Sequence, residues 1–161
     1  MPHATTLSDL PDRATLLARS GLQFVEDMIA GRLPWPPIGH TLNFAPAEAA
    51  RGRVVFEGTA TFDAMNPMGV VHGGWYGAIL DSCMGCAVMT ELAQGEISTT
   101  LEFKVNIARA LSPDCPVRAT GLVQQKGGTT AVATGELRGI EDGRLYATGS
   151  TTCLVTRPGA G

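Results

Sequence analysis

Lysine is nearly missing from this chain. Only Lys104 and Lys126 stand among 12 basic residues, against 15 acidic ones, for a formal net charge of -3. That balance excludes a nucleic-acid scaffold and the dense basic coat of a membrane-surface binder. Charge of either sign is sparse, at 17%, while hydrophobic residues make up 44%, which excludes a disordered chain. Cys83, Cys86, Cys115 and Cys153 are too few and too scattered to staple a chain of 161 residues. The opening Met1-Pro2-His3-Ala4-Thr5-Thr6 lacks the basic, apolar and small-residue order of a secretory signal. The longest weakly charged stretch is interrupted by Gly73, Gly74, Gly77, Gly85 and the carboxylate of Asp81, a poor bilayer span. No G-x-S-x-G elbow occurs, which disfavours an α/β-hydrolase. The expectation is a reduced, cytoplasmic protein with neither nucleic acid nor membrane as partner.

What is present is glycine and proline, 20 and 10 residues, in a chain long enough for one domain with a sizeable core. Leu16, Leu17, Phe24, Val25, Met28 and Ile29 form an apolar stripe that predicts an N-terminal helix over about 12–31, with Asp9 or Asp12 as cap and Gly31 as stop. Pro34-Trp35-Pro36-Pro37 predicts an extended connection, with Trp35-Pro36-Pro37 as a lid or packing corner. Residues 40–44 and 52–62 read as strands around a turn at 46–51. A run over 75–92, too long for one strand and without period-2 polarity, reads as a helix buried on nearly all sides. Leu101, Phe103, Val105 and Ile107 alternate with Thr100, Glu102, Lys104 and Asn106 as a strand, followed by strands over 117–125, 129–140 and 145–155. Links this short make antiparallel neighbours, and an antiparallel sheet wrapped around one apolar helix is the α+β arrangement that buries it.

Between Asp63 and Glu91 the one charged residue is Asp81, midway along the apolar helix. An unpaired carboxylate in a core costs several kcal/mol. It is therefore either braced by Ser82, Thr100 or a backbone amide, or kept for chemistry. Upstream, His72-Gly73-Gly74 puts two bare residues at the helix start, where backbone N–H groups lack intrahelical partners and can stabilise a developing oxyanion. Eight residues at ~1.5 Å each separate Gly73 from Asp81 by roughly 12 Å. One reacting atom cannot touch both within one chain. If both act in catalysis, a two-fold dimer must supply Asp81 from a second subunit.

Asn66-Pro67-x-Gly69-x-x-His72-Gly73-Gly74, Asp81 in its apolar helix and Ser98-Thr99-Thr100-Leu101-Glu102 resemble the hot-dog-fold acyl-CoA thioesterases, above all the phenylacetate-pathway (PaaI-like) branch, over about 40–156. The resemblance implies a hot-dog fold, an acyl-CoA substrate, no metal or redox cofactor, and a homodimer or dimer of dimers. It also implies roles. The Gly73 amide polarises the thioester carbonyl, and Asp81 of the other chain acts as general base on water or as nucleophile through a transient mixed anhydride. Asn66 orients water or the carboxylate, His72 holds loop and carbonyl, and Thr100 touches the carboxylate or water. Glu102 stands where many members have Asp, and Asn106 where an aromatic or aliphatic residue is more usual.

Other readings compete. Cys83-x-x-Cys86 could suggest a redox or zinc site, but a pair inside a helix without further ligands reads as packing. His3 and His40 carry no signal. A hot-dog hydratase or dehydratase would pair His72 with Asp81 as acid and base. A non-catalytic acyl-CoA-binding protein would gain nothing from Asp81.

Overall fold

The computed structural model describes residues 3–158. The N-terminal segment is helical, but it is two helices rather than one: α1 (Arg13–Leu17) and α2 (Gly21–Ile29). The division is local chemistry. Asp12 caps α1 through the Thr15 N–H, and Ser20 forms a capping box with Gln23 that starts a new helix where the sequence stripe runs on. Gly31, at φ 72°, ends α2.

The proline-rich segment departs from expectation. Pro36 is extended, but Pro37 occupies the first position of a short helix α3 (Pro37–Thr41), where its missing N–H costs nothing. The strand expected over 40–44 is therefore absent, and β1 (Phe44–Ala50) runs through the segment expected to turn. Pro46 is tolerated there because β1 is an edge strand, bulged between Pro46 and Glu48. The chain reverses at Arg51–Gly52 into β2 (Arg53–Thr59).

After a loop comes α4 (Gly73–Met89), then β3 (Ile97–Ile107), β4 (Pro116–Lys126), β5 (Thr130–Gly139) and β6 (Leu145–Thr156), close to the expected elements. The six strands form one antiparallel sheet in the order β1-β2-β4-β5-β6-β3. It wraps α4, whose Trp75, Tyr76, Ile79, Leu80, Cys83, Met84, Ala87 and Val88 are all buried. This is the hot-dog fold.

The approach of helix to sheet is set by a row of glycines. Gly121, Gly135 and Gly149 pair directly across β4, β5 and β6. A Cβ on Gly121 would stand 2.6 Å from the Cys83 carbonyl oxygen, and one on Gly135 would stand 3.0 Å from the Met84 side chain. With any other residue in that row, α4 could not lie this deep.

Candidate active site

The residues singled out in the sequence fall into two places on α4. At its start, the loop over 63–72 is tied to itself. Asn66 Oδ1 accepts from the N–H groups of Met68 (2.9 Å) and Val70 (3.3 Å), and the Asn66 N–H donates to the Val70 carbonyl at 2.8 Å. The loop is anchored to α4 by the His72 N–H, which donates to the Ala64 carbonyl at 2.8 Å. His72 is the N-cap: its Nδ1 accepts from the Gly74 N–H at 2.9 Å. That bond requires the lone pair on Nδ1 and places the ring proton on Nε2.

The cap leaves the Gly73 N–H without an acceptor among the described residues. Gly73 lines an open cleft of about 290 Å³ together with Asn66, Val70, Tyr76, Ile107 and Arg109. Its exposure and lack of a side chain let a ligand oxygen reach the amide. The far wall is rigid, because the Tyr76 hydroxyl accepts from the Leu111 N–H at 2.6 Å and donates to the Arg109 carbonyl at 3.3 Å. Arg109 gave no signal in the sequence. It stands at this cleft with no ion-pair partner among the described residues, whereas most of the other arginines are paired with carboxylates.

Asp81 lies two turns further on, half-buried, in a second cleft of about 210 Å³ lined by Ser82, Gly85, Cys86, Ser98, Thr100 and Cys153. The Thr100 hydroxyl donates to Asp81 Oδ1 at 3.0 Å, and Oδ2 has no partner among the described residues. The carboxylate is thus held by one donor and open on its other oxygen. Cys86 and Cys153 share the cleft. Burial, and after it the charge of Asp81, pushes the Cys86 thiol up to about 12. Burial likewise raises Cys153. Neither becomes a thiolate near neutral pH, so neither is an activated nucleophile. Cys83 is buried, its thiol directed at the carbonyls of Val54 and Ala119, and burial raises its pKa as well. The C-x-x-C pair is packing; all four cysteines are free. Among the described residues no group of three or more His, Cys, Asp or Glu is arranged to hold a metal ion.

Thr100 and Asp81 therefore meet, and Asn66 and Gly73 meet, but within one chain the two pairs occupy separate clefts. Glu102 and Asn106 are exposed on β3 and belong to neither. The face of α4 carrying Gly73, Gly77, Asp81 and Gly85 looks onto β3, with Phe103 against Gly77 and Ile107 against Gly73. β3 is an edge strand, and Leu101, Phe103 and Ile107 on it are 59%, 46% and 49% exposed.

Residues 68–146 match the model of the thioesterase superfamily. Over this segment the chain is similar to that superfamily, and the structural likeness runs to the PaaI-like hot-dog proteins. A phenylacetic acid degradation-related protein of Ralstonia eutropha JMP134 shares 28% identity at a TM-score of 0.75, covering 81% of this chain and 98% of its own. A hypothetical thioesterase of Streptococcus pneumoniae TIGR4, solved with coenzyme A, shares 25% at 0.65, covering 71% and 87%. The PaaI protein of the E. coli phenylacetic acid degradation operon shares the fold, at 17% identity and a TM-score of 0.72 over 86% of this chain and 94% of its own. Among curated proteins none matches significantly. No helix among the described residues is long and apolar enough to cross a membrane.

Proposed function

We propose that the protein hydrolyses acyl-CoA thioesters to the free acid and coenzyme A, in sites shared by two subunits. The observation that carries this reading is the division of α4 into two incomplete halves. Among the described residues, Asp81, held by Thr100, has a carboxylate oxygen without a partner but no helix-terminal N–H in its cleft; Gly73 has an N–H without an acceptor but no carboxylate in its cleft. A second copy with its α4 alongside and reversed brings Asp81 of one chain to Gly73 of the other, and does so twice. The exposed apolar edge strand β3, beside the same face of α4, is the surface that such a pairing covers.

In the combined site the thioester carbonyl oxygen accepts from the Gly73 N–H. Asp81 takes a proton from water as the water oxygen bonds to the carbonyl carbon. The negative oxygen so formed is stabilised by the same N–H at the helix terminus. As the carbon–sulfur bond breaks, the proton on Asp81 passes to the departing sulfur, giving acid and thiol. Asp81 attacking directly, with water then cleaving the mixed anhydride, uses the same groups. Thr100 orients Asp81, and Asn66 and His72 shape the loop and the first turn that present Gly73. The unpaired Arg109 at the mouth of the Gly73 cleft suits an anionic part of coenzyme A. Thioesters are already activated, so these steps need no metal or redox cofactor.

The structure gives a hydratase reading less support. His72 spends Nδ1 on the helix cap, and within one chain it does not line the Asp81 cleft. Free-thiol release over a panel of acyl-CoAs, for the wild type and Asp81→Asn, is the test. Hydrolysis predicts thiol release that falls by about two or more orders of magnitude in the variant with fold and dimer kept. Enoyl formation without thiol points to dehydration instead, and tight binding without turnover points to a sensor.

A further inference from the structure

Beyond the Asp81 cleft lies a pocket that the chemistry above leaves unused. It has a volume of about 210 Å³ and is lined chiefly by Leu16 of α1, Phe24 of α2, Met89 and Leu92 at the end of α4, and Ile97 of β3. Met89 and Ser98 line both this pocket and the Asp81 cleft, so the two share a wall. On α4 the step from Asp81 to Met89 passes over Gly85, which offers bare backbone on the same helix face, with its nearest neighbour, Thr100 Oγ1, 3.8 Å from where a Cβ would stand. Gly85 thus adds no side chain between the carboxylate and the wall of Met89 and Ser98 that the cleft shares with the apolar pocket.

The charged residues at the pocket's edge are committed elsewhere. Arg19 pairs with Asp27 at 2.9 Å, and Glu96 is held by the Ala93 N–H, Lys126 and Arg157. Apart from Ser98, the remaining side chains that line it are apolar. The roof is also fixed in place. The Gly21 N–H donates to the Leu92 carbonyl at 3.0 Å, and a Cβ on Gly21 would overlap the Met89 carbonyl, so the first turn of α2 sits directly on the end of α4.

We infer that this pocket receives the acyl chain, and that the N-terminal helices make the protein selective for straight, apolar acyl groups of medium length. The inference rests on the hydrolase reading for its ligand. Met89 lies eight residues past Asp81, roughly 12 Å along the helix. An acetyl or butyryl group ends beside Asp81, whereas a decanoyl chain passes Gly85 and lies between Leu16 and Phe24. Each methylene buried there raises affinity about fourfold.

The test compares kcat/KM for straight-chain acyl-CoAs from acetyl to dodecanoyl in the wild type, Leu16→Trp, which fills the pocket, and Leu16→Ala, which enlarges it. Leu16 is half-buried on a peripheral five-residue helix, and the enlarging variant keeps the question open to measurement if the filling one does not fold. The expected result is a wild-type preference for medium chains, a decanoyl-to-butyryl ratio at least about tenfold lower in Leu16→Trp, and an optimum moved to longer chains in Leu16→Ala. A ratio untouched by both variants overturns the assignment even if hydrolysis is robust. Calorimetric binding of decanoyl-CoA and butyryl-CoA to Asp81→Asn, with and without Leu16→Trp, separates the two claims. If no thioester is cleaved, the hydrolase reading fails, and the pocket stands if Leu16→Trp abolishes a decanoyl preference in binding. Equal affinity for the two ligands overturns the pocket.

Discussion

The two ends of α4 solve opposite problems. The first turn has to leave something unsatisfied: a helix can offer a free backbone donor only where it begins, and here the cap by His72 uses the Gly74 N–H and leaves that of Gly73 open. The middle has to keep something satisfied: a carboxylate among buried apolar residues needs a donor, and Thr100 supplies one. The first condition ties the oxyanion donor to the helix terminus. The second permits the acid to sit anywhere along the helix, provided that a neighbouring strand brings a hydroxyl. A single straight helix cannot bring the two together, and the proposed hydrolysis therefore calls on a second helix.

The most severe way to break this division is to disable each half in a different chain. Asp81→Asn removes the proposed acid–base function, worth about two or more orders of magnitude in kcat. Gly73→Pro removes the N–H and adds a ring, whose Cβ would stand 3.3 Å from the flexible end of Ile107. Proline suits the first helical position, and His72 at φ -63° and ψ 139° is already in the region that precedes proline. Loss of that donor costs roughly 10²–10³ in kcat. Each variant alone should be nearly inactive. Co-expressed with different tags and purified as mixed dimers, they should recover about half the wild-type rate per dimer, since one of the two shared sites then has both an intact Asp81 and an intact Gly73. Mixed dimers as inactive as their parents would place the whole site within one chain and end the two-subunit reading.

A milder probe acts on the Asp81 half alone. Thr100→Val keeps the shape of the side chain and deletes the donor to Asp81 Oδ1. One hydrogen bond to a charged group is worth about 1.5–3 kcal/mol, so kcat should fall roughly ten- to a hundredfold while KM for acyl-CoA changes little. A rise in KM with kcat unchanged would show that Thr100 contacts the substrate rather than the carboxylate.

The contrast between the two halves was legible in sequence because helix rise is fixed by the backbone and needs no tertiary knowledge. The same holds for β3 to β6, whose turns and alternation are local. The reading failed where local signals compete. The stripe from Leu16 to Ile29 continues across Ser20, yet Ser20 with Gln23 is a stronger start signal than the stripe is a reason to continue. Pro46 looks like a turn residue until β1 is known to be an edge strand. Gly121, Gly135 and Gly149 recur every 14 residues, a visible spacing whose meaning depends on strands of matching length being paired in register. Arg109 could not be found in advance. What distinguishes it is that other arginines meet partners far away in sequence, such as Arg51 with Glu91 and Arg157 with Glu96.

The smallest expected effect concerns the edge of the apolar pocket, and it is one of stability rather than rate. The Glu96 side chain is 3% exposed. Burial alone would raise its pKa, but the Ala93 N–H together with Lys126 and Arg157 outweighs burial and holds the carboxyl below its ordinary value. A carboxyl whose folded-state pKa is depressed contributes stability that is present above the unfolded value, about 4.3 for Glu, and is lost as pH falls through the folded value. Glu96→Gln keeps the size and removes the charge. Its Tm should lie below that of the wild type at neutral pH, by roughly 2–4 °C for each kcal/mol lost. The gap should close as pH falls below the unfolded value and the wild-type carboxyl takes up its proton. Melting curves of both proteins from neutral to acid pH check this, and a gap that stays constant with pH would mean that Glu96 holds the start of β3 by shape and hydrogen bonding rather than by its charge.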